Sequence, residues 1–314
     1  MNILIKQNIP LAQFTTFRIG GPAKFFCEVR NEEEIGEALN YARENNLEIF
    51  VLGGGSNLLI SDEGFSGLVI RMQNVEYQVL EDKIKCGAGV SLAEIVNLTI
   101  KNSLAGFEWA AGIPGTIGGA IRGNAGIPSG YMSDAIEEVD VVEFFGDKYQ
   151  IKNYNCQACE FAYRESIFKK NPKLIILSCL LKLEKGKKEE ISEKIRGIVA
   201  KRLKAINPNP KEPSSGSFFK NPKVDDVELV ARFEKETGQK TLGGKIPAGW
   251  LIDEVGLRGK KIGQVMVSEK HANFLVNLGG ARAQDVIMLA SFIKMKVRDE
   301  LGIELREEVQ YIGL

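Results

Sequence analysis

The sequence predicts an α+β chain of two domains, and three observations predict it. Amphipathic helical stretches are interspersed with short apolar runs of strand length, 314 residues can bury more than one ordinary core, and one proline-rich punctuation interrupts the later half. "NEEEIGEALNYARENN" places Ile35, Leu39 and Ala42 along one helical face behind Asn31 as N-cap. "EIFVLGGGSN" reads as a strand feeding a glycine turn, and "GLVIRM", "YQVLE" and "KIKCGAG" read as further strands. Ser91 and Glu94 form a capping box that opens the helix "SLAEIVNLTIKN". Strand-like "EVDVVEFFG" and "LIILSCLLKLE" flank the polar segment "FAYRESIFKKN". The long helix "EEISEKIRGIVAKRLKAI" stops at "NPNPKEPSSGS", where proline cannot continue it, and a domain boundary falls there. Beyond it lie amphipathic "DDVELVARFEKETG", the strand "ANFLVNLGG", a helix from Gln284 to Leu301 and a closing strand, "IELREEVQYIG".

Balanced charge narrows the partners. Basic and acidic side chains number 41 each and the pI is near 6.7, so no global basic field draws in nucleic acid or anionic lipid. Any anion must be met by a local site. No stretch approaches the roughly 20 apolar residues of a membrane span, and the N-terminus has no leader pattern. A cytoplasmic protein without membrane or nucleic-acid partners is expected. Cys27, Cys86, Cys156, Cys159 and Cys179 are odd in number and scattered, unlike a disulfide framework. Cys156 and Cys159 have CxxC spacing, but no second CxxC exists and His271 is the only histidine. No metal is expected, and the cysteines read as incidental in preference to a redox pair.

The chemistry concentrates in two glycine-rich loops. Gly53, Gly54, Gly55, Ser56 and Asn57 form the first, and Gly112, Ile113, Gly115, Gly118, Gly119 and Ala120 lie in the second. Neither fits G-x-G-x-x-G or G-x-x-x-x-G-K-[ST], so the dinucleotide fingerprint and the Walker loop are both missing. Successive N–H groups bare of side chains still make an anion nest, to which Ser56 and Asn57 add donors. One such loop alone reads as an ordinary turn. Two in one half of the chain point to a bound nucleotide.

In order along the chain, "TTFRIGG", "LGGGSNLLISDEGFSGLVI", "GIPGTIGGAIRGNAG", "YRESIF", "GSFFKNP" and "EVQYIG" resemble the UDP-N-acetylenolpyruvoylglucosamine reductase family, flavoenzymes that complete UDP-N-acetylmuramic acid for peptidoglycan. The likeness runs from about Thr15 to Gly313. Because the flavin loops recur across FAD enzymes, "YRES", "GSFFKNP" and the terminal Glu-Val are the discriminating motifs. The resemblance implies a two-subdomain FAD-binding domain of the PCMH/VAO type, followed by an α+β substrate-binding domain. Residues 1–70 form the first subdomain, joined by a C-terminal strand over 309–314, residues 71–205 the second, and 206–308 bind substrate. The resemblance also implies non-covalent FAD, since the N-terminal half has no histidine to bond it, with NADPH as co-substrate, a UDP-sugar substrate and a monomeric protein.

The implied reaction passes hydride from NADPH through flavin N5 to the enolpyruvyl β-carbon, leaving enolate character beside a carboxylate. Arg164 suits that charge, because a guanidinium meets a carboxylate with two parallel hydrogen bonds. Glu308, preferred to Glu307 because it immediately precedes Val309 in the family pattern, assists only if a raised pKa keeps it protonated. Ser217 is the implied proton donor to the α-carbon, with Lys220 easing the transient alkoxide. Tyr163 and Asn221 match substrate contacts, and Lys204 or Arg202 is placed on the UDP diphosphate. His271 falls where a polar side chain can face the substrate, or equally is a satisfied polar residue ahead of a strand. Gly123 stands where the family often carries a bulkier apolar residue. The compact segment after "YRES" leaves no room for an inserted lid, as in the shorter type of the enzyme. Two other readings stay open at this point. One is another FAD-dependent oxidoreductase of the same superfamily acting on a small hydroxy acid or sugar, against which "GSFFKNP" speaks. The other is a non-catalytic module that binds a flavin or a nucleotide sugar.

Overall fold

The computed structural model describes residues 3–145, 148–205, 213–241 and 243–314. The chain divides into two compact units, the first from Met1–Ile9, Ala23–Gly55 and Phe65–Lys204, the second from Pro10–Pro22, Ser56–Gly64 and Ala205–Leu314. Residues 10–22 and 56–64 therefore group with the C-terminal part and not with the rest of 1–70. The reason lies in pairing and burial. Leu58–Ile60 pairs in parallel with Gln310–Ile312, and Phe17, Ile19 and Leu59 join the apolar cluster of Phe218, Phe219 and Val309.

In the first unit, Lys6–Pro10, Pro22–Val29, Phe65–Met72 and Ile49–Leu52 form a four-stranded sheet in that spatial order. Phe65–Met72 pairs in parallel with both Pro22–Val29 and Ile49–Leu52. The helix Glu32–Glu44 carries the chain from Pro22–Val29 to Ile49–Leu52, the two strands that flank Phe65–Met72, with Asn31 Oδ1 accepting from the Glu34 amide at 2.9 Å and Ile35, Ala38, Leu39 and Ala42 buried. A second sheet runs Lys148–Asn155, Ile136–Phe145, Leu174–Lys182, Lys83–Gly87, Tyr77–Leu80 and is antiparallel throughout. The helix Leu92–Lys101 is opened by Ser91, whose hydroxyl accepts from the Glu94 amide at 3.1 Å.

In the second unit, Ser214–Ser217, Phe274–Asn277, Val265–Val267 and Lys261–Ile262 form an antiparallel sheet in that order. The helix Ala283–Leu301 buries Val286, Leu289, Ala290, Ile293 and Val297 on one face, ends on Gly302 at φ 70°, and takes Asp62 Oδ1 at its start, 2.9 Å from the Ala283 amide. The expected closing strand is short. Only Gln310–Ile312 is extended in a ladder, because its parallel partner Leu58–Ile60 offers three residues and no more.

Candidate active site

The two glycine loops meet inside the first unit, and their smallness has a steric cause. A Cβ on Gly54 would lie 2.8 Å from Gly115 Cα, and one on Gly53 would lie 2.7 Å from Thr116 Oγ1. Gly115 adopts φ 133° and Gly112 φ 74°, backbone that side-chain-bearing residues avoid. Bonds from the Leu92 amide to Gly115 O at 3.1 Å and from the Ile117 amide to Val90 O at 2.8 Å pin the second loop. Gly118 and Gly119 lie in the short helix Ile117–Arg122, where a Cβ on Gly118 would meet Ala88 Cβ at 2.9 Å. Gly119 is exposed, with only Thr116 Oγ1 within reach, at 3.7 Å. Gly123 has space for a larger residue, since its Cβ would meet Gly119 O alone, at 3.6 Å.

The same unit anchors "YRES" on the far end of the second loop. Ala162 and Glu165 exchange backbone bonds of 3.0 and 3.1 Å, so Tyr163 and Arg164 occupy the corner of a tight turn. Arg164 sits at φ 60°, in the left-handed region. For a non-glycine residue this costs of order 1 kcal/mol and recurs at functional corners. Its Nη2 donates to Gly126 O at 3.0 Å, and its guanidinium lies 5.3 Å from the Tyr163 ring centroid. Ser166 Oγ donates to Arg122 O at 2.8 Å and Asn124 Nδ2 to Ala162 O at 3.0 Å, tying the turn to residues 122–126. Arg202 packs here too, with Nη2 3.4 Å from Trp109 O and Cδ 3.4 Å from the Cβ position of Gly112. Burial pulls its pKa down. The side chain of Lys204 lies outside the described residues.

In the second unit the strand carrying Ser217 is bulged. Ser214 faces Val276 and Ser217 faces Phe274, so three steps on one strand match two on the other. Gly216 absorbs the extra residue at φ 78°, in open space. Such bulges re-aim a neighbouring side chain, here the half-buried Ser217. Phe218 and Phe219 follow, both buried, with their rings 5.1 Å apart. Glu308 is brought to this strand by its amide, which donates to Phe218 O at 2.8 Å, while the Glu307 carboxylate pairs with Lys294 at 2.9 Å. Asn57 Nδ2 donates to Glu308 O at 3.2 Å, so this amide holds the backbone beneath Glu308. Asn221 Oδ1 accepts from the Ala248 amide at 3.0 Å at the start of the helix Ala248–Glu254.

His271 lies beside Phe274, ring centroids 4.8 Å apart, and its Nδ1 accepts from the Asn273 amide at 3.2 Å. That bond assigns the neutral tautomer with its proton on Nε2. Burial, then the charge of Arg258, pulls the pKa below its ordinary value. Sequence reasoning passed over Asn273 and Asn277, both buried within apolar "ANFLVN". A polar residue at such a position needs partners, and that was the available signal.

The loops fit a flavin dinucleotide. Along Gly53–Asn57 no backbone N–H donates to a protein acceptor among the described residues, as a diphosphate nest requires. Thr116 Oγ1 is buried with no partner among the described residues. The fold and these loops define an FAD-binding oxidoreductase of α+β architecture. The FAD binding domain family matches residues 23–147, and the UDP-N-acetylenolpyruvoylglucosamine reductase C-terminal domain family matches 208–312. The UDP-N-acetylenolpyruvoylglucosamine reductase of Solibacter usitatus is 36% identical over 99% of this chain and 98% of its own, and that of Clostridioides difficile 35% identical over 100% and 96%. The crystal structure of the Thermus caldophilus UDP-N-acetylenolpyruvylglucosamine reductase superposes with a TM-score of 0.76 at 34% identity, covering 99% of both chains. The chain belongs to the UDP-N-acetylenolpyruvoylglucosamine reductase family, whose members are FAD-dependent oxidoreductases.

Proposed function

We propose that this protein reduces UDP-N-acetylglucosamine enolpyruvate to UDP-N-acetylmuramate with NADPH, in peptidoglycan synthesis, and that Arg164, Ser217 and Glu308 are its catalytic residues. The observation that carries the assignment is the nearness of two distant motifs: the Glu308 amide donates to the carbonyl of Phe218, the residue that follows bulged Ser217. When bound, FAD supplies hydride transfer from NADPH to the enolpyruvyl β-carbon. Gly53, Gly54, Gly55, Ser56 and Asn57 would hold its diphosphate through backbone N–H groups, and Gly112, Ile113, Gly115, Gly118, Gly119 and Ala120 would let its rings approach the backbone.

The protein's own residues handle charge and proton. Arg164 pairs with the substrate carboxylate, where negative charge grows as the double bond is reduced. Ser217 Oγ–H gives its proton to the α-carbon, which completes addition of one hydride and one proton across the double bond. The resulting alkoxide is reprotonated from solvent, with the Lys220 ammonium nearby in sequence to offset its charge. Glu308 would assist only in its protonated form, by donating to the developing negative charge. Tyr163, Asn221 and His271, through Nε2–H, are the substrate contacts, and Lys204 or Arg202 is the diphosphate ligand. The functional partition we propose is 1–70 with 309–314 and 71–205 for the flavin, and 206–308 for the substrate. No helix among the described residues is long and apolar enough to cross a membrane. We propose a cytoplasmic monomer.

Ser217→Ala tests the scheme by anaerobic stopped flow. Flavin reduction by NADPH should survive, while reoxidation by substrate falls by about 10²–10⁴-fold, the usual contribution of a general acid. Equal losses in both half-reactions would remove Ser217 as proton donor.

A further inference from the structure

We infer that Asn273 is a positioning residue for the proton-transfer step, acting through the backbone that carries Ser217. This rests on the reading of Ser217 as proton donor. Asn273 is 2% exposed and stands in the turn before the strand Phe274–Asn277. Its carbonyl accepts from the Phe218 amide at 2.8 Å. The side chain then repeats the pattern one residue on: Oδ1 accepts from the Phe219 amide at 2.9 Å, and Nδ2 donates to Phe219 O at 2.9 Å.

An amide side chain thus stands in for a strand residue at the point where the ladder ends. The register stops at the Ser217–Phe274 pair, and without Asn273 the backbone of Phe219 would lose both partners on this side. On the other side the Glu308 amide donates to Phe218 O at 2.8 Å and the Lys220 amide to Arg306 O at 2.9 Å. The segment from Ser217 to Lys220 is therefore held between Asn273 and the segment Arg306–Glu308. Gly216 at φ 78° on the N-terminal side of Ser217 gives the chain freedom there. The Asn273 clamp removes it from the C-terminal side. His271 fixes Asn273 in turn, by accepting its amide proton at Nδ1, 3.2 Å away.

A misplacement of about 1 Å in a reacting group can cost on the order of 100-fold in rate. Asn273→Asp keeps the volume and the acceptor but sets a carboxylate oxygen against Phe219 O. With FAD-loaded enzyme, it should slow reoxidation by UDP-N-acetylglucosamine enolpyruvate by about 10- to 100-fold. Flavin reduction by NADPH should stay within about twofold, since that step uses neither Ser217 nor its strand. In the Ser217→Ala background, Asn273→Asp should slow reoxidation no further, because a residue acting through Ser217 has nothing left to position. If Asn273→Asp gives no soluble holoenzyme, Asn273→Ala, which deletes both side-chain bonds, should show the same pattern. Reoxidation at the parent rate, equal slowing of both half-reactions, or multiplicative losses in the double variant would each overturn the inference. A silent Ser217→Ala would overturn the proton-donor reading first and this one with it. A slow Ser217→Ala beside a silent Asn273→Asp would overturn the positioning role alone.

Discussion

Gly54→Ala isolates what the contact between the glycine loops contributes. The added carbon would sit 2.8 Å from Gly115 Cα, 3.2 Å from its carbonyl carbon and 3.3 Å from the Thr116 nitrogen. Carbon atoms in contact prefer about 3.5–4.0 Å, so the loops must part by roughly 0.7 Å. None of the three atoms belongs to a side chain that can swing aside, and the second loop is pinned through Gly115 O and the Ile117 amide. Overpacking of this kind costs about 1–3 kcal/mol. If the strain falls on the flavin-loaded arrangement, the dissociation constant for FAD rises by about 5- to 150-fold, at tenfold per 1.4 kcal/mol. Titration of FAD-stripped protein by flavin fluorescence reads this directly, with a melting curve alongside. The control is Gly197→Ala, in the helix Lys188–Ala205, where a Cβ meets nothing within 4 Å. It should melt no lower than the parent, since alanine is the better helix former by about 1 kcal/mol. If Gly54→Ala binds FAD as the parent does and melts with it, the loop-contact reasoning is wrong.

Other outcomes follow from the same geometry. Arg164→Lys removes the planar fork, so kcat/KM should drop by about 10- to 150-fold, as expected for a charged hydrogen bond worth about 1.5–3 kcal/mol; steady-state kinetics with unchanged values would exclude the bidentate role. Because His271 is held neutral, with its folded-state pKa below the ordinary 6.5, only the unfolded chain takes up its proton as the pH falls through that value. The associated stability is complete above 6.5 and is lost progressively down to the folded pKa. Urea melts of His271→Gln should therefore show a shallower loss between neutral and mildly acid pH, and identical slopes would contradict the assignment. Burial pushes the Cys27 thiol up to about 12 and raises Cys159 likewise, and Cys86 and Cys179 lie buried with their sulfurs 3.6 Å apart. Alkylation at pH 8 should reach half-buried Cys156 first in the native protein and all five cysteines only after unfolding.

What was legible in the sequence was whatever local chemistry encodes. Asn31 and Ser91 announce their helices because each side chain bonds an amide three residues on. The 3.6-residue spacing of Val286, Leu289, Ala290, Ile293 and Val297 marks a buried face. The candidate reactive side chains were legible as types, since only an arginine forks onto a carboxylate.

Tertiary structure decided what those residues touch. The glycines at 53 and 54 look like a surface cleared for a ligand, yet a large part of their smallness is taken up by Gly115 and Thr116, some sixty residues away. Asn57 reads as a phosphate donor, and its amide is committed to the Glu308 carbonyl. Asn273 carries no motif, because its partners Phe218 and Phe219 lie more than fifty positions earlier in the chain. The chain by itself determined which segments become helix or strand and which chemistry they bring. Only packing of segments far apart in sequence decided which amide, hydroxyl and carbonyl face one another, because such contacts depend on burial and register that no local pattern records.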